Sequence, residues 1–216
     1  MAKFFARYPK VVYSLNDATN LDVVTNITTR VKIIDKYLTN SLSYYEYDVQ
    51  EGDTPEIIAH KFYDDVERHW IVLHANNMID PMFDWPMNYT NFIKYLDDKY
   101  GPLASSGQTG TDYAKATVHK YQKIVTKTDG YGNSNVDTIN IGDNNDLGAQ
   151  AYANTASSTR TVSLPNSQSV TYKVEPKIQY IYDYEDELNE SKRKIKLIRK
   201  EYIPQIEEEL KSLLKA

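Results

Sequence analysis

The 216-residue chain contains no cysteine, so it can form neither a disulfide framework nor a thiolate site. It has no apolar run approaching the ~20 residues of a membrane-spanning helix, and its first residues lack the apolar segment of a secretion signal. The 25 lysine and arginine residues are outnumbered by 30 aspartate and glutamate residues. The net charge of −5 argues against nucleic acid as the main partner, because phosphate binding requires a basic face. These absences predict a soluble protein that is made and assembled in a cytoplasm.

Side-chain patterns typical of enzymes are absent as well. Neither a G-x-S-x-G turn nor a phosphate-binding glycine loop occurs. The neighbours Asp64–Asp65 and Asp97–Asp98 point apart on a helix or strand, so neither pair resembles the two carboxylates of a glycosidase. Residues 142–148 lack the ligand spacing of an EF-hand and predict an Asn/Asp turn. No i, i+4 pair that could bind a metal exists among the four histidines, His60, His69, His74 and His119. We therefore expect no enzymatic activity, no cofactor and no metal.

Tyrosine is the one residue type in excess, with nineteen copies. Its ring provides a large apolar surface and its hydroxyl a polar tip, which suits protein–protein interfaces. The same properties suit the core of a β-containing domain. Composition leaves both interpretations open.

The clearest local pattern starts at Tyr44, where tyrosine and valine alternate with polar residues and predict a strand. Gly52–Asp53 then provides a turn, since glycine adopts a positive φ without strain. Thr54 is a good N-cap and Pro55 suits the first helical position. A second helix is expected to end at Asn76–Asn77. The pattern predicts strand, turn, helix, turn and helix in a compact module.

This module resembles the opening of a LysM module, whose Y-x-V-x-x-G-D-T-x-x-x-I-A pattern runs here from Tyr47 to Ala59. LysM modules have a βααβ fold and often bind N-acetylglucosamine chains of peptidoglycan or chitin. On that resemblance, residues 52–54 and the Asn76–Asn77 turn border a sugar groove. The expected second strand does not follow Asn77, and the helix predicted at 89–100 is expected to replace or cap it.

The residues downstream resemble a different family. The pattern F-Y-(short gap)-W-x-V-L-x-x-N-N-x-x-D-P-x-x-x-W starts at Phe62 and ends at Trp85. It is similar to the LysM-like baseplate wedge subunit of T-even-like contractile-tailed bacteriophages, the gene product fifty-three family. The strong resemblance covers roughly residues 44–100, with a weaker echo at the C-terminus.

The wedge resemblance implies a structural virion protein of the viral tail baseplate that joins neighbouring wedge subunits around the tail hub. Its partners are then other baseplate wedge proteins in a sixfold-arranged hetero-oligomer, without nucleic acid or membrane. They include a gene product twenty-five-like sheath-proximal protein and a large inner-ring wedge protein. Virus assembly takes place in the host cytoplasm. The alternative function is a peptidoglycan-binding LysM-type module.

The flanking segments complete the prediction. Residues 4–13 form an apolar arm that either packs back on the chain or docks on a neighbour. A helix is predicted from Asn26, with apolar residues at helical spacing up to Leu38. A further helix, at Tyr89 to Leu96, is stopped by Gly101–Pro102.

The second half of the chain predicts mainly strands and then helices. Residues 103–112 read as a linker, and 113–127 as one or two strands. The polar composition between 128 and 169 predicts a long excursion, not a second compact core. It contains a short strand near Val136 to Ile141 and a hairpin over Thr161–Tyr172.

At the C-terminus, a helix from Tyr180 precedes a short strand at Ile195–Leu197 and an amphipathic helix from about Glu201. Pro204 fits the first turn of that last helix. The apolar stripe of this helix suits either the core or a partner helix, with docking slightly favoured.

The predicted fold class is therefore α+β: a small LysM-like strand-helix-helix module with flanking helices, a β-rich low-complexity excursion and a C-terminal helix. The predicted segments are 1–43, 44–101, 102–179 and 180–216. Candidate partner-binding or module-anchoring residues are the large apolar side chains of the module and the termini: Phe62, Tyr63, Trp70, Trp85, Phe5, Ile206, Leu210 and Leu213.

Overall fold

The computed structural model describes residues 8–14, 21–29, 32, 36–165 and 168–215. It confirms the α+β class. Its helices are α1 (Lys36–Thr39), α2 (Pro55–Tyr63), α3 (His69–Ala75), α4 (Pro81–Asp84), α5 (Tyr89–Tyr100), α6 (Gly110–Ala116), α7 (Asp146–Ala153), α8 (Ile181–Ser191) and α9 (Ile203–Lys215). Its strands are β1 (Lys10–Tyr13), β2 (Asp22–Thr25), β3 (Tyr44–Asp48), β4 (Val118–Asp129), β5 (Ser134–Asp143), β6 (Ser158–Ser163), β7 (Ser169–Tyr180) and β8 (Lys194–Ile198).

The chain divides into two compact units whose limits differ from the predicted segments. Unit 1 combines Met1–Asn88 with Glu190–Ala216, and unit 2 is Tyr89–Asn189. The predicted 44–101 module is therefore cut after Asn88, and the C-terminal segment belongs to the same unit as the N-terminal one. Sequence reasoning placed limits where composition changes, whereas the units follow contacts between distant parts of the chain.

A second strand pairs with β3, but it comes from residues 194–198 and not from the segment directly after α3. β8 pairs antiparallel with β3 in a two-stranded sheet, with Tyr44 opposite Ile198 and Asp48 opposite Lys194. Within unit 1 the module thus runs β3-α2-α3-α4-β8, with unit 2 inserted in the sequence between α4 and β8. The expectation that α5 replaces or caps this strand is wrong, because β8 is the strand that pairs with β3.

Local sequence signals account for the start of the module. Thr54 caps α2 by accepting a hydrogen bond from the Ile57 N–H (3.3 Å), and Pro55 occupies the first turn. Gly52 adopts a φ of +84°, which only glycine tolerates without strain. The helix α2 ends at Asp64, which is itself in the left-handed conformation (φ +54°). These features place strand, turn and helix where the sequence predicts them.

The core of unit 1 is built from both ends of the chain. The apolar stripe of the C-terminal helix α9 is buried in this core. Polar contacts hold the same helix in place. The Tyr37 hydroxyl donates to Gln205 Oε1 (3.3 Å), and Arg68 Nε donates to Glu207 Oε1 (3.1 Å). The described core comprises Tyr8, Tyr37, Val49, Ile58, Ala59, Tyr63, Trp70, Ile71, Val72, Ala75, Trp85, Ile195, Leu197, Ile198, Ile203, Ile206, Leu210 and Leu214. The sequence slightly favoured docking of this apolar stripe on a partner protein. In the structure the stripe packs within the chain instead.

The described part of the N-terminal arm contains the strand β1. β1 pairs antiparallel with β2, from Lys10 opposite Thr25 to Tyr13 opposite Asp22. The helix predicted from Asn26 is wrong at its start, because a turn follows β2. Among the described residues of that prediction, helix is found at Lys36–Thr39. The helical spacing there came from β-branched residues that also suit strands. Val31 and Ile34, which belonged to that prediction, lie outside the described residues.

Unit 2 is a compact body where a loose excursion was expected. Its four strands form an antiparallel sheet in the order β5-β4-β7-β6. The short strand at 136–141 is confirmed as part of the longer β5, and the 161–172 hairpin as part of β6 and β7. Residues 113–116 belong to α6 and are not strand, because Thr109 and Asp112 form a capping box that starts a helix there. The polar segment itself provides little core, and α5, α6 and α8 contribute most of the buried residues.

Candidate functional site

The four aromatic candidates of the module lie in unit 1 and pack inward. Tyr63, Trp70 and Trp85 expose only 1%, 6% and 9% of their surfaces. Phe62 is half-buried and packs edge-on against the ring of Tyr47, with centroids 5.3 Å apart. These side chains hold the module together from within, so they anchor it rather than present a contact surface.

The terminal candidates have different surroundings. Ile206 and Leu210 of α9 are buried in the core, whereas Leu213 on the same helix is 47% exposed. Phe5 lies outside the described residues. Among the described residues of the two terminal segments, the N-terminal one has more exposed apolar side chains than the C-terminal one.

The β3–α2 turn is held by the carboxylate of Asp53, which is buried. Its Oδ1 accepts from Lys61 Nζ (2.7 Å), and its Oδ2 accepts from the Tyr47 hydroxyl (2.6 Å) and the Gln50 N–H (3.1 Å). Burial acts to raise the pKa of Asp53, but these hydrogen bonds outweigh burial and lower it below 3.8. The hydrogen bond to Asp53 raises the pKa of Tyr47 to about 12. The carboxylate therefore fixes the turn and has its acceptor oxygens occupied.

Trp85 also binds the β3–α2 turn. Its indole Nε1 donates to the backbone carbonyl of Asp53 at 3.0 Å. A backbone group at the predicted sugar groove is thus bound by the chain itself. Trp85 is not a free platform on which a sugar ring could stack.

The amide of Asn76 joins α3 to β8. Its Nδ2 donates to the carbonyls of Val72 (2.8 Å) and Lys196 (2.9 Å), and its Oδ1 accepts from the Lys196 N–H (2.7 Å). The side chain therefore satisfies both backbone groups of one β8 residue. Both amide hydrogens and one acceptor site of this side chain are therefore used within the module, at the second border of the predicted groove.

A shallow cavity of about 290 Å³ remains beside Asn77, Met78, Lys194 and Ile195. It is small for a ligand site, and no aromatic side chain is found among its described lining residues. The neighbouring Asp84 carboxylate accepts from the Ile79 and Asp80 N–H groups. The cavity therefore offers little to a saccharide.

The ribbon formed by β1 and β2 is an exposed apolar feature of unit 1. Val12 (62% exposed) lies opposite Val23 (66%) on one face, and Val11 (40%) opposite Val24 (38%) on the other. An isolated two-stranded ribbon is marginally stable in water, and an apolar pair on each face adds to its tendency to be covered. The ribbon therefore offers apolar surface for contact with another protein. The sequence predicted the arm but not its partner strand, although the β-branched run Val23–Thr25 indicates one.

The described residues contain no cluster of three or more His, Asp or Glu side chains that could hold a metal ion. In that same part of the chain, every helix is too short or too polar to cross a bilayer. The chain matches no model of a known protein family, and no curated protein has a similar sequence.

Proposed function

We propose that this chain is a structural component of a phage tail baseplate wedge and joins neighbouring wedge subunits around the tail hub. The proposal combines the resemblance of residues 44–100 to the LysM-like wedge subunit with the surface properties of unit 1. On this proposal the protein is a non-enzymatic virion protein, assembled in the host cytoplasm. Its partners are a gene product twenty-five-like sheath-proximal protein and a large inner-ring wedge protein.

The observation that carries the proposal is the exposed β1–β2 ribbon. Val12 and Val23 form a cross-strand pair that is almost two-thirds exposed, and Val11 and Val24 form a second pair on the opposite face. A ribbon that is apolar on both faces fits a cleft of a second protein, where both faces are covered at once. Such a contact is structural and requires no reacting group.

The hydrogen bonding of the predicted groove favours this function over peptidoglycan binding. The Trp85 indole N–H donates a hydrogen bond to the backbone carbonyl of Asp53, and the side-chain amide of Asn76 is hydrogen-bonded to the backbone of β8. Both groups are needed for the module's own fold. The LysM-like unit then acts as a rigid support that carries the ribbon.

If the wedges form a closed ring, small contacts between neighbouring subunits are enough to hold the assembly together. In a closed cyclic assembly each subunit is held by two neighbours, so no single contact needs a large area. The proposed role is mechanical: repeated copies keep neighbouring wedges joined until the tail contracts.

A pull-down of the full-length chain tests the proposal with two baits, the co-expressed baseplate wedge proteins and insoluble peptidoglycan. We expect recovery of a stoichiometric wedge complex and no retention on peptidoglycan. The double variant Val12→Thr with Val23→Thr keeps β-branched side chains but removes apolar surface, and should lose the complex. Val66→Thr, a 46% exposed valine elsewhere in unit 1, is the matched control and should retain it.

Retention on peptidoglycan that soluble chitooligosaccharide competes away, without recovery of any wedge protein, would contradict the proposal. Full recovery of the complex by the double ribbon variant would show that another surface makes the contact.

A further inference from the structure

The sheet of unit 2 ends in two exposed edge strands that run in opposite directions. Each strand in the order β5-β4-β7-β6 is antiparallel to its neighbour, and the number of strands is even. The outer strands β5 and β6 are therefore antiparallel to each other. Continuing the sheet by placing β5 of one copy beside β6 of another preserves the antiparallel alternation.

Both edges lack several of the usual protections against pairing. Native proteins block edge strands with lysine, proline or a covering element. Neither β5 nor β6 contains lysine or proline, and no described strand pairs with the outer side of either. The helix α7 contacts the far end of β5, where Gly148 packs against Gly142 and Asp143. Residues 134–140 of β5 and Ser158–Thr161 of β6 are all exposed.

We propose that these edges pair with each other between two copies of this chain, β5 of one copy with β6 of the next. The free part of β5 (134–140) and the strand β6 (158–163) have nearly equal lengths, so each covers the other's backbone groups. The inference rests on the geometry of unit 2 and goes beyond the proposed function, since it would hold whatever proteins the ribbon contacts.

The charges on the two edge strands, and the face of the sheet on which they lie, favour pairing of β5 with β6 over pairing of either strand with itself. The register places Asp137 opposite Val125, Val125 opposite Val174, and Val174 opposite Ser158. Arg160 lies two residues along β6 from Ser158, and therefore on the same face as Asp137. Aligning the centres of the two edges puts Asp137 directly opposite Arg160 of the next copy, and opposite charges at such positions stabilise a sheet.

Pairing each edge with its own counterpart is less favourable. Centred on the same residue, β5 with β5 brings two Asp137 side chains together, and β6 with β6 brings two Arg160 side chains together. Like charges directly opposite each other destabilise a ladder. The two edges are thus complementary to each other and not to themselves.

A head-to-tail contact of this kind has consequences for assembly. Heterologous contacts form a closed ring when the rotation between copies closes and an open filament when it does not. A short polar strand pair buries little area, so we expect weak association of the free chain and stronger pairing when copies are held side by side.

Disulfide trapping tests the pairing, because the chain has no cysteine of its own. In the proposed register Thr138 lies opposite Thr159 of the next copy, and both are exposed. We expect a mixture of the full-length Thr138→Cys and Thr159→Cys variants to cross-link faster than either variant alone. Lys173→Cys is the matched control, since Lys173 is the partner of Thr159 one strand further inside the sheet. Its mixture with Thr138→Cys should show only the background rate.

Charge reversal provides the second measurement. In the cross-linking pair, adding Arg160→Glu to both chains should remove the excess rate, and adding Asp137→Lys as well should restore it. Cross-linking of the mixture no faster than the Lys173 control would overturn the proposal. So would faster cross-linking within one variant than between the two, which indicates self-pairing of an edge.

Discussion

Replacing Asn76 by alanine tests whether β8 belongs to the module that starts at β3. The side chain makes three hydrogen bonds, two of them to the backbone of Lys196 in β8. Each bond contributes about 1 kcal/mol net, and the site is partly buried, so Asn76→Ala should lower the free energy of unfolding of unit 1 by about 3 kcal/mol. The loss arises because the N–H and carbonyl of Lys196 are left without a protein partner.

Tryptophan fluorescence during urea unfolding of the full-length chain measures this effect. The chain has two tryptophans, Trp70 and Trp85, and both lie in unit 1, so the signal follows that unit alone. Asn77→Gly is the matched control: it removes the neighbouring amide at a residue with φ +54°, which glycine accepts. It should shift the free energy of unfolding by no more than about 0.5–1 kcal/mol. A loss below ~1 kcal/mol in Asn76→Ala would refute the reasoning that this amide joins α3 to β8.

Two further predictions concern the same unit. Leu210→Ala should cost about 2–5 kcal/mol of unfolding free energy in the same assay, because Leu210 is buried in the core, whereas exposed Leu213→Ala should cost less than ~0.5 kcal/mol. Equal effects would contradict the packing of α9 within the chain. The lowered pKa of Asp53 implies stability that is fully present above 3.8 and lost as the pH falls through the folded-state pKa. The stability difference between wild type and Asp53→Asn should therefore shrink on acidification, and a difference that grows towards acid would contradict the assigned hydrogen bonds.

Local signals in the sequence were sufficient for much of unit 1. Thr54, Pro55 and Gly52 each act on their nearest neighbours, and the structure has the predicted turn and helix at these residues. The short strand at Ile195–Leu197 was also predicted from its alternation. Its partner was not, because the whole of unit 2 separates β3 and β8 in the sequence. A strand's partner is a non-local property that neither propensity nor capping encodes.

The compactness of unit 2 was missed for a related reason. Composition indicates how much apolar surface a segment can bury, but β4 and β7 pair their backbones along their full length. The unit is then completed by α5 and α8, which lie outside the polar segment. Glu185 of α8 joins these two helices, because its carboxylate accepts hydrogen bonds from Lys99 (2.7 Å) and Tyr100 (2.6 Å) of α5. No pattern in the sequence associates these three residues.

The candidate site was predicted only in part. The aromatic residues of the module could be recognised as anchors, but their burial placed them in the core and not at the surface. The exposed surface lies in β1 and β2, and only β1 belonged to the predicted arm. The roles of Asp53 and Asn76 depend on hydrogen bonds to Trp85 and Lys196 that the spacing of residues does not reveal.

The most direct test of the central claim is hydrogen–deuterium exchange of the full-length chain, free and assembled with its wedge proteins. We predict that peptides covering residues 10–13 and 22–25 become protected on assembly, because both faces of the ribbon are covered. Peptides of α2, which is already folded into the core, should keep the same exchange rate. Unchanged exchange in the ribbon of an assembled complex would contradict the claim that this ribbon joins the chain to its neighbours.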